Sequence, residues 1–192
     1  FFTKKETNMN FERSSGILLH PTSLPGKYGI GTLGKEAYDF IDFLIKSGQK
    51  LWQVCPLGPT GYGDSPYQCF SAFAGNHLLI DFDILLTDNL LKKEDIDENI
   101  VFSPLKVEYG RVIDFKNSIL KKSYKRFIEL KSTVNVITRK FENFCEANGF
   151  WLEDYALFMA IKESLGMIPW SEWETKLKFR DKKTLDDYKI KL

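Results

Sequence analysis

Cysteine is scarce in this sequence and an excess of either charge is missing, and each deficit closes off a class of function. Cys55, Cys69 and Cys145 are odd in number and show no Cys-x-x-Cys spacing, so neither a disulfide framework nor a zinc site is signalled. They read as reduced thiols of a cytoplasmic protein. No apolar run approaches the ~20 residues of a membrane-spanning helix; the longest are short, and Asp81 and Asp83 interrupt the stretch from Leu78 to Leu86. Phe1 to Asn10 is too polar for a signal peptide. With 27 basic and 26 acidic residues the formal charge is +1 at pH 7, so no global field draws the chain to nucleic acid or to an anionic membrane. A neutral ligand fits that balance better. Histidine occurs twice, and His77 has no cysteine beside it to make a nucleophile pair, so a Cys-His hydrolase is poorly supported.

What is present is the composition of a soluble globular protein, 43% hydrophobic and 28% charged, on 192 residues, enough to bury a core. Gly16 to Leu19 reads as a buried strand running into a loop at His20-Pro21. A helical pattern follows from Lys35 to Ser47, with Ala37, Phe40, Ile41, Leu44 and Ile45 on one face and Gly48 as its stop. Leu51 to Leu57 reads as a second strand, and the order strand, helix, strand favours a parallel α/β unit. Between Leu78 and Leu86, Asp81 and Asp83 alternate with apolar neighbours. Beyond Thr87 helical periodicity dominates, with apolar stripes at Leu120, Tyr124 and Phe127 and at Leu152, Tyr155, Ala156 and Met159, the latter ended by Gly166. The sequence has no internal repeat and no low-complexity tract.

One segment asks for more than packing. Gly61-Tyr62-Gly63-Asp64-Ser65-Pro66-Tyr67-Gln68, followed by Cys69 to Asn76, sets glycines, tyrosines and a carboxylate on one loop. Glycine permits sharp turns and close approach, and tyrosine offers an apolar ring with a hydroxyl at its tip. A sugar, with flat C–H faces and directional hydroxyls, suits such a loop, and the loop follows the carboxyl end of a strand, where parallel α/β folds place their sites.

Other motifs have plainer readings. Gly29-Ile30-Gly31-Thr32-Leu33-Gly34 matches the dinucleotide pattern, but Pro21, Pro25 and about ten residues separate it from the strand, whereas a true fingerprint follows the strand directly. A tight turn into the helix explains it. His20, at a strand end, is either a structural residue or a substrate contact. Lys116, Lys121, Lys122, Lys125 and Arg126 could suggest a nucleic-acid surface, yet with Leu120, Tyr124 and Phe127 on the buried face the bases fall on a solvated one. Trp170 and Trp173 could stack on sugars or cover a core edge.

The sequence resembles the amino-terminal part of the amylomaltases, the 4-alpha-glucanotransferases also called disproportionating enzymes. The matching stretches are Gly16 to Gly26, Gly29-Ile30-Gly31 with Leu33-Gly34, Trp52 to Thr60, Gly61 to Asn76, and Trp151 to Phe158. The resemblance implies an α/β fold: the amino-terminal part of a (β/α)8 TIM barrel followed by a largely helical insertion subdomain. Residues 1–8, which precede the first methionine Met9, are expected to be a leader or non-native extension; residues 9–88 the first strands and helix with the sugar-binding loop; and residues 89–192 a mainly helical insertion, the chain ending before the barrel closes. It further implies transfer of α-1,4-glucan segments by a retaining double displacement, in which one carboxylate attacks the anomeric carbon and a second acid protonates the leaving oxygen. The family's carboxylates fall on later strands, so no catalytic residue is assigned in this chain, and the chain alone is expected to be inactive and aggregation-prone.

The resemblance carries Tyr62, Ser65 and Tyr67 over as substrate-binding residues. Asp64 is expected to order the loop through backbone hydrogen bonds or to contact substrate, as is His20. No metal or organic cofactor is implied. Maltooligosaccharides or α-1,4-glucan are the expected partners, with no nucleic acid and no membrane. A non-catalytic glucan-binding module and, less well supported, a nucleotide-binding enzyme using Gly29 to Gly34 are the alternatives.

Overall fold

A computed structural model describes residues 12–131 and 136–192; the expected leader lies outside them. Gly16–Leu18 (β1) and Leu51–Gln53 (β2) pair in parallel, with Gly16 opposite Leu51, Ile17 opposite Trp52 and Leu18 opposite Gln53. Parallel pairing requires a crossover, and Lys35–Lys46 (α1) supplies it. Both strands are shorter than their apolar runs. Leu19 N–H still reaches Gln53 O at 3.1 Å, but Pro21 and Pro56 follow, and neither has an N–H to extend a ladder.

Helix α1 matches the expected span, closing at Ser47 and at Gly48, whose φ of +70° is left-handed. Its face is buried only in part. Ala37 and Leu44 are buried and Phe40 meets Trp52 edge-on at 5.0 Å, whereas Ile41 and Ile45 remain exposed.

The alternation around Asp81 and Asp83 is a helix start. Asp81 caps Phe82–Thr87 (α2), accepting the N–H groups of Asp83 at 2.9 Å and Ile84 at 3.2 Å. A short carboxylate satisfying first-turn donors outweighs a period-two pattern over so few residues.

Two compact units emerge, one of residues 12–70 with 75–129 and one of residues 71–74 with 130–192. In the first, Tyr28, Phe82, Leu91, Ile96, Phe115 and Ile119 form the main core cluster, and Ile30, Leu78 and Val112 a second one. Tyr109–Lys131 (α3) contributes to both, only in part through the expected stripe: Leu120 packs against the main cluster and Phe127 is half-buried. Its buried positions are Val112, Phe115, Lys116, Ile119 and Ser123, while Tyr124 is exposed. Lys116, expected on the solvated face, is fully buried because its Nζ finds the carbonyl of Ile80 at 2.8 Å.

In the second unit Val136–Ser164 (α4), Thr175–Lys178 (α5) and Lys182–Lys191 (α6) surround Ile161, Trp173 and Leu177. Helix α4 stops where Gly166 and Met167 both turn left-handed, and Lys162 Nζ holds the carbonyls of Met167 at 3.0 Å and Ile168 at 2.9 Å. The stripe expected on α4 is half-buried at Leu152, Tyr155 and Met159 but exposed at Ala156. Trp173 belongs to the core and Trp170 is exposed, so the paired stacking platform does not form. Phe73 stacks on Trp151 at 5.9 Å and meets Phe150 edge-on at 5.4 Å within this unit.

Candidate functional site

The carboxyl ends of β1 and β2 converge on the short segment Cys55-Pro56. From the β1 side, His20 caps the turn Pro21–Ser23: its Nδ1 accepts from Thr22 Oγ1 at 2.7 Å and from Thr22 N–H at 3.3 Å. Two donors at Nδ1 leave Nε2 as the protonated nitrogen, which donates to Pro56 O at 3.4 Å. Trp52 Nε1 donates to Leu19 O at 2.7 Å, tying the strands again just before they diverge.

The tyrosine loop rises from β2 and is clamped at its base. Gly61 N–H donates to Gln68 O at 2.8 Å, Phe70 N–H to Pro59 O at 3.0 Å, and Thr60 and Cys69 make an antiparallel bridge. Gly61 is required there, since a Cβ would lie 2.9 Å from Gln68 O. Gly63 and Asp64 are left-handed, with φ of +68° and +54°, which turns the tip. The result is a rigid stem whose tip projects Tyr62, 91% exposed, and Tyr67, 76% exposed.

The remaining loop residues have distinct parts. Ser65 Oγ accepts from Tyr67 N–H at 3.3 Å. Asp64 accepts no hydrogen bond on its carboxylate among the described residues, so the backbone bonds expected of it are made instead by Ser65 and the clamp. Partial burial raises its carboxyl above the usual range. The Tyr67 hydroxyl donates to Cys55 Sγ at 3.8 Å, and that bond raises its phenol above the ordinary tyrosine range. Cys55 is the residue that sequence reasoning passed over: only the fold brings it beside Tyr67.

The glycines of the dinucleotide-like segment are explained by close packing. A Cβ on Gly29 would meet Phe102 at 2.5 Å, on Gly31 the carbonyl of Pro21 at 2.0 Å, and on Gly34 the carboxylate of Asp81 at 2.1 Å. An acid therefore occupies the place by the start of α1 where a pyrophosphate would have to sit. Asp81 also accepts from Thr32 Oγ1 at 2.6 Å, and Asp83 from the Tyr28 hydroxyl at 3.3 Å, so both acids are structurally engaged. A groove of about 700 Å³ lies nearby, lined by Leu24, Lys27, Ile30, Glu36, Ser103 and Leu105 among others. None of the tyrosine-loop residues reaches it. Among the described residues, no group of three or more His, Cys, Asp or Glu side chains is placed to hold a metal ion, and no helix is long and apolar enough to cross a membrane.

A parallel strand–helix–strand unit with a clamped aromatic loop at the carboxyl end of its second strand defines an α/β protein with its candidate site on that edge. Comparison with known proteins narrows the class. The glycoside hydrolase family 77 model, 4-alpha-glucanotransferase, matches residues 19–192, and the chain belongs to that family. It is 47% identical over 184 residues to the 4-alpha-glucanotransferase of Thermus thermophilus, covering 96% of this chain and 36% of the relative. The 4-alpha-glucanotransferase of Clostridium butyricum is 46% identical over 175 residues, covering 91% and 35%. Among solved structures, an amylomaltase from Streptococcus agalactiae in complex with acarbose superposes with a TM-score of 0.85 at 43% identity, over 94% of this chain and 36% of that one. The chain thus spans about a third of the length of these relatives.

Proposed function

We propose that the polypeptide carrying this sequence is a cytoplasmic 4-alpha-glucanotransferase, moving segments of α-1,4-glucan to glucose or oligosaccharide acceptors by retention, and that Tyr62, Ser65 and Tyr67 form part of its sugar site. The observation that carries this is the pair of tyrosines held out to solvent on a hydrogen-bonded stem at the end of β2. Exposed rings that pack on nothing serve sugar faces well, because a pyranose presents C–H bonds to the ring and hydroxyls to its rim. Asp64, with an unbonded and partly desolvated carboxylate, is placed to accept a sugar hydroxyl. His20 acts indirectly, steadying the Cys55-Pro56 segment through Pro56 O.

No acid of this chain is proposed as nucleophile or proton donor. Asp81 and Asp83 are held in helix-capping and tyrosine contacts, and among the described residues no charged group acts on Asp64, whereas a retaining mechanism needs two carboxyl groups about 5 Å apart. In this reading β1, α1 and β2 are the opening elements of a (β/α)8 barrel, and residues 89–192 are a mainly helical insertion. The three free thiols accord with a reducing compartment.

The test is maltotriose disproportionation by the complete polypeptide, followed as glucose and longer maltooligosaccharides. Tyr67→Ala is expected to lower kcat/KM about tenfold, the equivalent of roughly 1.4 kcal/mol of lost contact. Unchanged kinetics would remove Tyr67 from the site.

A further inference from the structure

Tyr67 is mostly exposed, so packing does not orient its ring. Its backbone N–H donates to Ser65 Oγ, which fixes the main chain, and its hydroxyl donates to Cys55 Sγ, the hydroxyl's one hydrogen-bond partner among the described residues and the contact that orients the ring. The two ends of that second bond differ in rigidity. Cys55 stands two residues past β2, beside Pro56 whose carbonyl His20 holds, and close to Trp52 whose indole is bonded to Leu19. Tyr67 stands near the tip of the loop. Cys69, the other thiol of this loop, is turned elsewhere and donates to Pro66 O at 2.9 Å, so it does not compete for the phenol.

We propose that Cys55 is a positioning residue for glucan binding: its sulfur parks the Tyr67 hydroxyl against the strand end, which presents the ring to a sugar, and yields the hydroxyl when a sugar oxygen arrives. The inference rests on Tyr67 being a glucan contact. Sulfur suits the task because it is a weak acceptor. It aligns an otherwise free side chain, yet a sugar hydroxyl or ring oxygen displaces it at little cost. The contact with Cys55 also raises the phenol pKa, the direction expected of a hydroxyl that donates. A serine at this position would carry its oxygen on a shorter bond from Cβ, beyond the reach of an O–H···O bond across a gap already 3.8 Å wide.

The test compares Cys55→Ala, Cys55→Ser, Tyr67→Phe and the Cys55→Ala/Tyr67→Phe double variant of the complete polypeptide in maltotriose disproportionation. Cys55→Ala and Cys55→Ser are expected to raise KM roughly threefold with kcat changed less than about twofold, and the double variant is expected to match Tyr67→Phe alone. Additive effects would mean that Cys55 acts by some route other than the hydroxyl and would overturn the proposal. So would an unchanged KM in Cys55→Ala where Tyr67→Ala is impaired, a result that leaves the glucan reading standing. Unchanged kinetics in Tyr67→Ala would overturn both. A readout independent of activity is the Tyr67 ring-carbon NMR signal of the complete polypeptide, with tyrosine ring carbons labelled, assigned by its loss in Tyr67→Phe. In Cys55→Ala the phenol should titrate at lower pH than in the parent, and an unmoved midpoint would overturn the proposal.

Discussion

Lys116 lays its ammonium over the ring of Phe82, with Nζ 4.6 Å from the centroid, in a core where the side chain has no solvent exposure at all. Burial pushes its pKa down to about 8, against the pull of the Asp81 carboxylate. Between pH 8 and the ordinary lysine value the unfolded chain binds a proton there that the folded chain does not, so the folded state gains stability as pH rises through that window. The expected slope approaches ~1.4 kcal/mol per pH unit at most. Lys116→Met should lose that rise while staying within about 1–2 kcal/mol of the parent at pH 7, since an apolar residue of similar size commonly replaces a buried charge without large loss. Urea denaturation of both proteins at pH 7, 8, 9 and 10 checks it, and parallel curves would contradict it.

Asp81 serves three neighbours at once. It caps α2, accepts from Thr32 Oγ1, and lies against Gly34 at the start of α1. Asp81→Ala should destabilise the first unit by about 2–3 kcal/mol, combining a lost cap with a buried hydroxyl left without its acceptor. Gly34→Ala should be at least as harmful, because its Cβ would fall 2.1 Å from the Asp81 carboxylate. Thermal unfolding separates these from a surface control such as Lys121→Ala, which should shift Tm little.

Arg126 and Asp95 form the least exposed ion pair among the described residues, reinforced by Lys122 Nζ on the Asp95 carbonyl at 2.8 Å. The Arg126 guanidinium holds the Asp95 carboxyl below the usual carboxylate range. A group with a depressed folded pKa stabilises above its unfolded pKa and loses that contribution as pH falls through the folded value. Arg126→Met should therefore destabilise at pH 7, modestly because the pair is screened by solvent, and progressively less below pH 4. A penalty that stays constant down to pH 2 would assign the effect to packing instead.

Tyr62 has no hydrogen bond or ring contact among the described residues and is 91% exposed. Tyr62→Ala should leave Tm within about 1 °C, since surface changes rarely exceed ±0.5 kcal/mol, while raising KM for maltooligosaccharides several-fold in the complete polypeptide. A large fall in Tm would make the residue structural.

Trp173 Nε1 is buried with no hydrogen-bond partner among the described residues. Trp173→Phe keeps most of the contacts with Phe158, Ile161 and Leu177 and removes the unsatisfied donor. It should cost far less than Trp173→Ala, for which about 3–5 kcal/mol is usual in a core. A loss from Trp173→Phe as large as that from Trp173→Ala would contradict it.

Local structure and the chemistry of the loop were legible in the order of residues. Gly48 and Gly166 marked helix ends because left-handed backbone favours glycine, the β1–α1–β2 order implied parallel pairing, and the loop from Gly61 to Gln68 declared a polar, aromatic site through residue types that packing does not demand together. Tertiary structure decided what depends on partners distant along the chain. Which face of α3 is buried turned on Ile80 and Phe82, which accept an ammonium that sequence alone assigned to solvent. The three glycines between residues 29 and 34 became packing positions only once Pro21, Asp81 and Phe102 lay against them. The contact between Tyr67 and Cys55 exists because one residue leaves a strand end and the other a clamped loop, a proximity that no periodicity encodes.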